Sequence, residues 1–186
     1  MKLYVKYMVS PRCKLIVMRE LRRLGIRGVV VDLGVAEIVG DITDDQRSRL
    51  GNNLLTSGLE LLKDPKSILV ERIKNVITEL IHYSKELPLR NYSDYISEKL
   101  QYDYTYLSNV FSAVNGVTIQ QFIILNKVER VKELLLYDEL NLTEISYQMH
   151  YSSVAHLSSQ FKKVTGLTPS YFKKVTHTRQ QNLENL

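Results

Sequence analysis

The sequence predicts two modules of different class: an α+β unit of βαββαβ order over residues 1–63, and an all-α region over residues 64–178 followed by a short tail, 179–186. Three observations lead there. Before Asp64 the hydrophobic pattern switches repeatedly between a period of two and a period near 3.6. From Pro65 onward strand patterns stop and helix-cap signatures follow one another. Finally, the helical region contains the same unit twice.

In the first module Leu3, Val5 and Tyr7 alternate as a strand does, and Pro11 opens a helix in which Leu15, Met18 with Val17, Leu21 and Leu24 recur at helical spacing until Gly25. Val29-Val30-Val31 and Ile38-Val39 are β-branched runs around Asp32-Leu33-Gly34, the pattern of a hairpin. Thr43-Asp44-Asp45-Gln46 has the form of a capping box with acids in the first turn, and Leu50, Leu54 and Leu55 follow on one face. Gly58 ends that helix and Leu59 to Leu62 make a last strand. The order is that of a ferredoxin-like sandwich. Asp64-Pro65 then reads as an N-cap and first helical residue, and Ile68, Leu69, Ile73, Val76, Ile77, Leu80 and Ile81 carry a helix to about Glu86, closed by Pro88. Further caps are expected at Asn91, at Thr118 with Gln121, at Asn141 with Glu144, and at Thr168-Pro169.

Composition narrows the function. The chain is 44% hydrophobic and 24% charged, as an ordinary globular protein is, and no run approaches the roughly 18 apolar residues of a membrane helix. Lys6 falls where a signal peptide would need apolar residues, so a cytoplasmic, membrane-free protein is expected. One cysteine, Cys13, excludes an intrachain disulfide or an all-cysteine metal site. The net charge of +5 is uneven: residues 1–63 hold 11 Lys and Arg against 7 Asp and Glu, while residues 64–186 hold 14 against 13. The informative feature is local. From Ile145 to Leu183 there is no acidic residue, whereas Lys162, Lys163, Lys173, Lys174 and Arg179 lie in that window, a distribution that suits a surface facing phosphates.

The repeat is more specific. Leu107, Ser108, Phe111, Gly116, Thr118 and Phe122 match Leu157, Ser158, Phe161, Gly166, Thr168 and Phe172 at an offset of 50. Upstream, Ile96-Ser97, Leu100 and Tyr102 match Ile145-Ser146, Met149 and Tyr151 at an offset of 49, so the second copy has one extra turn residue. Each copy predicts a short helix (91–101 and 141–149), a tight turn, a second helix (104–115 and 153–165) and a glycine that ends it in the left-handed conformation. That is a helix-turn-helix, whose second helix enters a DNA major groove. Leu107, Val110, Phe111 and Val114, and in the second copy Val154, Leu157, Phe161 and Val164, are the expected inner faces. Facing out, Thr105, Tyr106, Ser108, Asn109 and Ser112, with Ser153, Ala155, His156, Ser159 and Gln160, are the candidate base contacts: short, mostly neutral groups that can donate, accept or touch a thymine methyl. Ser152, Lys162, Lys163, Thr168, Lys173 and Lys174 are the candidate phosphate contacts.

Leu142-Thr143-Glu144-Ile145-Ser146, Tyr151-Ser152-Ser153, Leu157 to Lys163 and Gly166 to Phe172 resemble the C-terminal signature of AraC/XylS transcription regulators, and Phe122 to Leu135 resembles that family's linker helix. The resemblance covers about residues 66–175. It implies a seven-helix domain whose two reading helices enter successive major grooves about one helical turn apart, a bacterial-type regulator with duplex DNA and RNA polymerase as partners, and no enzymatic activity. Three departures stand out. Gln101 and His150 occupy the place of a glycine usual in the turns, Ser159 lies near that of a common arginine, and Ser112-Ala113 replaces the Lys162-Lys163 of the second copy. The turns are therefore expected to be slightly strained.

Met8-Val9-Ser10-Pro11-Arg12-Cys13 resembles the Met-x-Cys-x-x-Cys loop of heavy-metal-associated domains, with Ser10 in place of the first cysteine. That resemblance implies Cu(I) or another soft metal at Cys13, for instance shared by two chains in a homodimer through this module; otherwise no cofactor is expected. Cys13 at a helix start beside Arg12 and Lys14 should also have a lowered pKa, so a metal- or redox-responsive sensor or chaperone is the alternative reading. Alkylation-response enzymes of related build need several cysteines, which this chain lacks. The basic flank of that helix, Arg12, Lys14, Arg19, Arg22, Arg23 and Arg27, suits DNA, an anionic ligand or plain solvent.

Overall fold

The computed structural model describes residues 1–84, 91–137 and 139–184, with side chains as far as Thr176. The expected close of a helix at Glu86 and Pro88, and the side chain of Arg179, lie outside the described residues. The chain divides into two compact units, Met1–Asn75 with Leu100–Gly116, and Val76–Lys99 with Val117–Leu186.

The first unit begins with β1 (Lys2–Lys6), α1 (Pro11–Arg23), β2 (Val30–Asp32), β3 (Val35–Glu37), α2 (Asp44–Leu55) and β4 (Glu60–Leu61). The strands form a small antiparallel sheet in the order β2-β3-β1-β4, with Leu3 opposite Ala36 and Val5 opposite Leu61. The inward residues of β1, Leu3 and Val5, meet Val17 and Leu21 of α1 and Leu50 and Leu54 of α2 in one core. Thr43 and Gln46 make the expected capping box, each side chain accepting from the other's backbone N–H at 3.1 and 3.0 Å.

Two local expectations need correction. Of the stripe expected on α1, Val17 and Leu21 are fully buried, but Leu15 is 65% exposed. Val17 and Leu21 lie four residues apart on one face, and packing on the sheet selects that face over the position of Leu15. The buried Glu20 carboxylate helps to set that rotation, because it accepts from Arg19, Arg23 and, across to α2, Asn53 at 3.1–3.2 Å. The hairpin is also tighter than expected. Its strands close directly on Leu33-Gly34, where Gly34 takes φ 80°, leaving Val39 beyond β3 and exposed.

Helix α3 (Pro65–Thr78) starts on Asp64, whose carboxylate accepts from the Ser67 N–H at 2.7 Å, and it widens into a π-helical turn at Glu79–Tyr83. There follow α4 (Tyr92–Leu100), α5 (Tyr104–Asn115), α6 (Ile119–Tyr137), α7 (Leu142–Gln148), α8 (Val154–Thr165) and α9 (Pro169–Glu184). In the second unit α6 is the central element, packing on the π-helical turn, α8 and α9. Its apolar side chains Ile123, Val128, Val131 and Leu135 are buried. Phe161 of α8 meets Phe172 of α9 edge to face, with ring centroids 5.5 Å apart, and is wholly buried. No helix among the described residues is long and apolar enough to cross a membrane.

Truncating Phe161 to alanine is expected to destabilise the protein by about 3–5 kcal/mol, the usual cost of emptying a buried aromatic site, as read by denaturant unfolding. A loss below about 1 kcal/mol would mean that Phe161 is not a core residue.

Candidate nucleic-acid interface

Each copy of the repeat is a helix, a left-handed turn residue and a second helix with a neutral N-cap or acidic N-cap and a glycine C-cap. In the second copy Asn141 and Glu144 cap α7 reciprocally, Asn141 Oδ1 accepting from the Thr143 and Glu144 N–H groups and Glu144 Oε2 from the Asn141 N–H at 2.7 Å. His150 then takes φ 50°, which lets the Tyr151 N–H reach back to the Ser146 carbonyl at 2.9 Å. Ser153 caps α8 by accepting from the His156 N–H at 3.1 Å, and α8 ends at Gly166 with φ 79°. In the first copy the corresponding residues are Gln101 at φ 60° and Gly116 at φ 72°. The strained turns expected from the missing glycines are thus present in both copies.

Helix α8 buries Leu157 and Phe161 completely. That orientation leaves Ser152, Ser153, Ala155, His156, Ser159, Lys162 and Lys163 exposed and Gln160 half-buried. Two candidate contacts have internal partners as well: the Ser153 hydroxyl serves as the cap, and the Ser152 hydroxyl bonds His156 Nδ1 at 2.9 Å. Thr168 is likewise the N-cap of α9, its hydroxyl accepting from the Tyr171 N–H at 3.3 Å; Lys173 is half-buried and Lys174 exposed. Helix α5 buries Leu107, Val110 and Phe111, exposes Thr105, Tyr106 and Asn109, and half-buries Ser108 and Ser112. Val114 was expected on its inner face and is 45% exposed instead, because it lies a further turn along where the helix approaches its end. Val154 and Val164 are half-buried at the two ends of α8.

The electrostatics of the two copies differ more than the sequence pattern suggests. Asp103 caps α5, its carboxylate accepting from the Thr105 and Tyr106 N–H groups at 2.8 and 3.2 Å. It puts a negative charge at the start of the uncharged helix. The neutral Ser153 does the same work on α8, whose last turn carries Lys162 and Lys163. An aspartate just ahead of a helix was a readable cap signal.

Sequence reasoning also missed a group behind α8. Lys127 of α6 is only 8% exposed, and its Nζ lies 4.1 Å from the centroid of the Tyr151 ring. Its place was legible: Lys127 interrupts the stripe Ile123, Val131, Leu134 where an apolar residue is due. Burial pulls its pKa down to about 8 and pushes Tyr151 up to about 12. Tyr151 in turn meets the His156 ring edge on, with centroids 5.3 Å apart. At the matching positions of the first copy, Tyr102 and Tyr106 stack at 5.6 Å.

Cys13, half-buried at the start of α1, has a thiol pKa lowered chiefly by the Ser10 hydroxyl, 3.5 Å from its Sγ, and by backbone N–H groups, against the pull of burial. The cause is therefore not Arg12 or Lys14, and Lys14 instead pairs with Asp32 at 3.0 Å. No cluster of three or more His, Cys, Asp or Glu suited to a metal occurs among the described residues.

Residues 96–174 match the family model described as a helix-turn-helix domain. Among curated proteins the chain is 24% identical over 132 residues to the uncharacterized HTH-type transcriptional regulator YdeC of Bacillus subtilis (strain 168), spanning 70% of this chain and 44% of that protein. It is 29% identical over 110 residues to an uncharacterized HTH-type transcriptional regulator of Staphylococcus aureus, spanning 58% of this chain and 14% of that one. The chain thus spans less than half the length of either relative. Among solved structures the C-terminal domain of AraT, a response regulator from Geobacillus stearothermophilus, superposes with a TM-score of 0.51 at 24% identity over 60% of this chain and 88% of that one. An AraC-type DNA-binding domain-containing regulator from Chromobacterium violaceum gives 0.51 at 18% identity over 58% and 91%. The helical part has their fold.

Two stability measurements test this geometry. His150→Gly is expected to raise stability by up to about 1 kcal/mol, since glycine adopts φ 50° without strain; a loss on substitution would show that the turn is relaxed. Lys127→Met is expected to raise the melting temperature at pH 7 by removing a desolvated charge. Because native Lys127 holds its proton less tightly than the ordinary 10.5 of the unfolded chain, stability should rise with pH between about 8 and 10.5. The advantage of the variant should shrink over the same window, and an advantage that stays constant to pH 10 would refute it.

Proposed function

We propose that the chain, a helix-turn-helix protein through residues 96–174, is a sequence-specific DNA-binding transcription regulator that reads two adjacent major grooves with α5 and α8. The observation that carries this reading is the outward face of α8, with the exposed Ala155, His156 and Ser159 and the half-buried Gln160 flanked by Lys162 and Lys163 and free of acidic residues. Short neutral groups let a helix approach base edges, while lysines at its end meet phosphates. Thr105, Tyr106, Ser108, Asn109 and Ser112 read the first groove, and Ser153 joins the second set. Ser152, Thr168, Lys173 and Lys174 add backbone contacts. With Asp103 at its start, α5 contributes selectivity by shape and hydrogen bonding more than affinity.

The function is regulatory rather than enzymatic, with duplex DNA and RNA polymerase as partners in the cytoplasm. The domain boundary at Asp64 is retained in this proposal: residues 1–63, whose βαββαβ order and β2-β3-β1-β4 sheet support a ferredoxin-like reading, form the controlling module and the site of homodimerisation. The Ser10–Cys13 contact favours a redox-responsive control over a metal-responsive one, because a single thiolate supported by a hydroxyl is a reactive group but an incomplete site for Cu(I).

Binding to fragments of its own promoter, measured at several salt concentrations, tests the reading. Affinity should fall steeply with salt. A His156→Ala/Ser159→Ala/Lys163→Ala triple variant should bind at least tenfold more weakly, each good base contact being worth about 1–3 kcal/mol. Lys163→Ala alone should lower the salt slope by about 1. Unchanged affinity in the triple variant would remove α8 from the interface.

A further inference from the structure

Lys127 is a buried ammonium with no acidic partner among the described residues; its nearest compensation is the face of the Tyr151 ring, 4.1 Å away. A methionine would fill the same space without the desolvation cost of the charge, so stability alone does not account for a lysine here. What the ammonium does is hold a ring. Tyr151 occupies the turn between α7 and α8, directly after the strained His150, and is itself 8% exposed. Its ring meets the His156 imidazole at right angles, 5.3 Å between centroids, while the Ser152 hydroxyl holds His156 Nδ1 at 2.9 Å. His156 is exposed, and with Nδ1 engaged by Ser152 its second ring nitrogen is Nε2. The first copy supplies an internal comparison. There the equivalent Tyr102 and Tyr106 lie nearly parallel, 28° apart, and both are about half exposed. The same two positions thus adopt a stacked pair in one copy and an edge-on pair over a cation in the other.

We infer that Lys127 is a positioning residue for the second reading helix: its ammonium fixes the Tyr151 ring, the ring fixes the His156 imidazole, and by this route α6 sets the hydrogen-bonding edge that α8 presents to a base. The inference rests on the DNA-binding reading for its last step only. The recognised group is a base edge in the major groove, since an imidazole Nε2 offers one donor or one acceptor according to which way the Ser152 hydroxyl points.

The test uses the full chain and pools of random-sequence DNA duplexes, with nuclear magnetic resonance of the His156 ring in the free protein. Lys127→Met should remain folded, shift the His156 ring signals, and lose about tenfold in discrimination at the base pairs that His156→Ala relaxes. Lys127→Arg, which keeps a cation over the ring, should recover most of both. Tyr151→Leu removes the ring and should shift the same signals by a second route. If the His156 signals and the base preference of Lys127→Met match the wild type, the inference is overturned, even if affinity falls. A wild-type chain without any sequence preference overturns the DNA reading and the base-selecting step with it, and ring signals that still shift would separate that failure from failure of the relay.

Discussion

Burial of Leu157 and Phe161 is the interaction on which the rest of the second repeat depends. Four residues apart on α8, they lie one above the other and are both fully removed from water, with Phe161 against Phe172 of α9. A helix pinned on that stripe has no rotational freedom left. Ala155, His156, Ser159 and Lys163 must then face outward. Helix α6, packed on both α8 and α9, serves as the floor on which this orientation rests. Leu107 and Phe111 impose the same rotation on α5.

The second constraint is conformational. Both α5 and α8 follow a non-glycine residue at positive φ, Gln101 or His150, and each ends in a glycine at φ 72° or 79°. A left-handed residue costs roughly 1–2 kcal/mol when it carries a side chain. In the second copy the hydrogen bond from Tyr151 back to Ser146 and the burial of the Tyr151 ring offset that cost. The residue after the turn, Tyr151, is the one that touches both Lys127 of α6 and His156 of α8.

The two copies have diverged in charge and in aromatic geometry while keeping their backbone. Asp103 adds a carboxylate at the start of α5, and α8 begins on a neutral serine and ends on two lysines. Positive charge is therefore concentrated on the second copy, and the first presents short polar groups.

The repeat, the caps at Thr43, Asp64, Thr118 and Asn141, the glycine C-caps and the central inner residues Leu107, Val110, Phe111, Leu157 and Phe161 were legible in the sequence, because each is set by periodicity or by hydrogen bonds within a few residues. So was the departure from glycine at Gln101 and His150. What only the tertiary structure decided involves partners distant in the chain. How far the apolar stripe of α1 is buried depends on the sheet beneath it, and Leu15 stays outside while Val17 and Leu21 go in. Lys14 pairs with Asp32 of β2, eighteen residues on, and the lowered pKa of Cys13 comes from the nearby Ser10 hydroxyl instead. Lys127 and Tyr151, twenty-four residues apart, meet only because α6 packs beneath α8; pattern alone marks a lysine out of place on an apolar stripe, and folding decides what it holds.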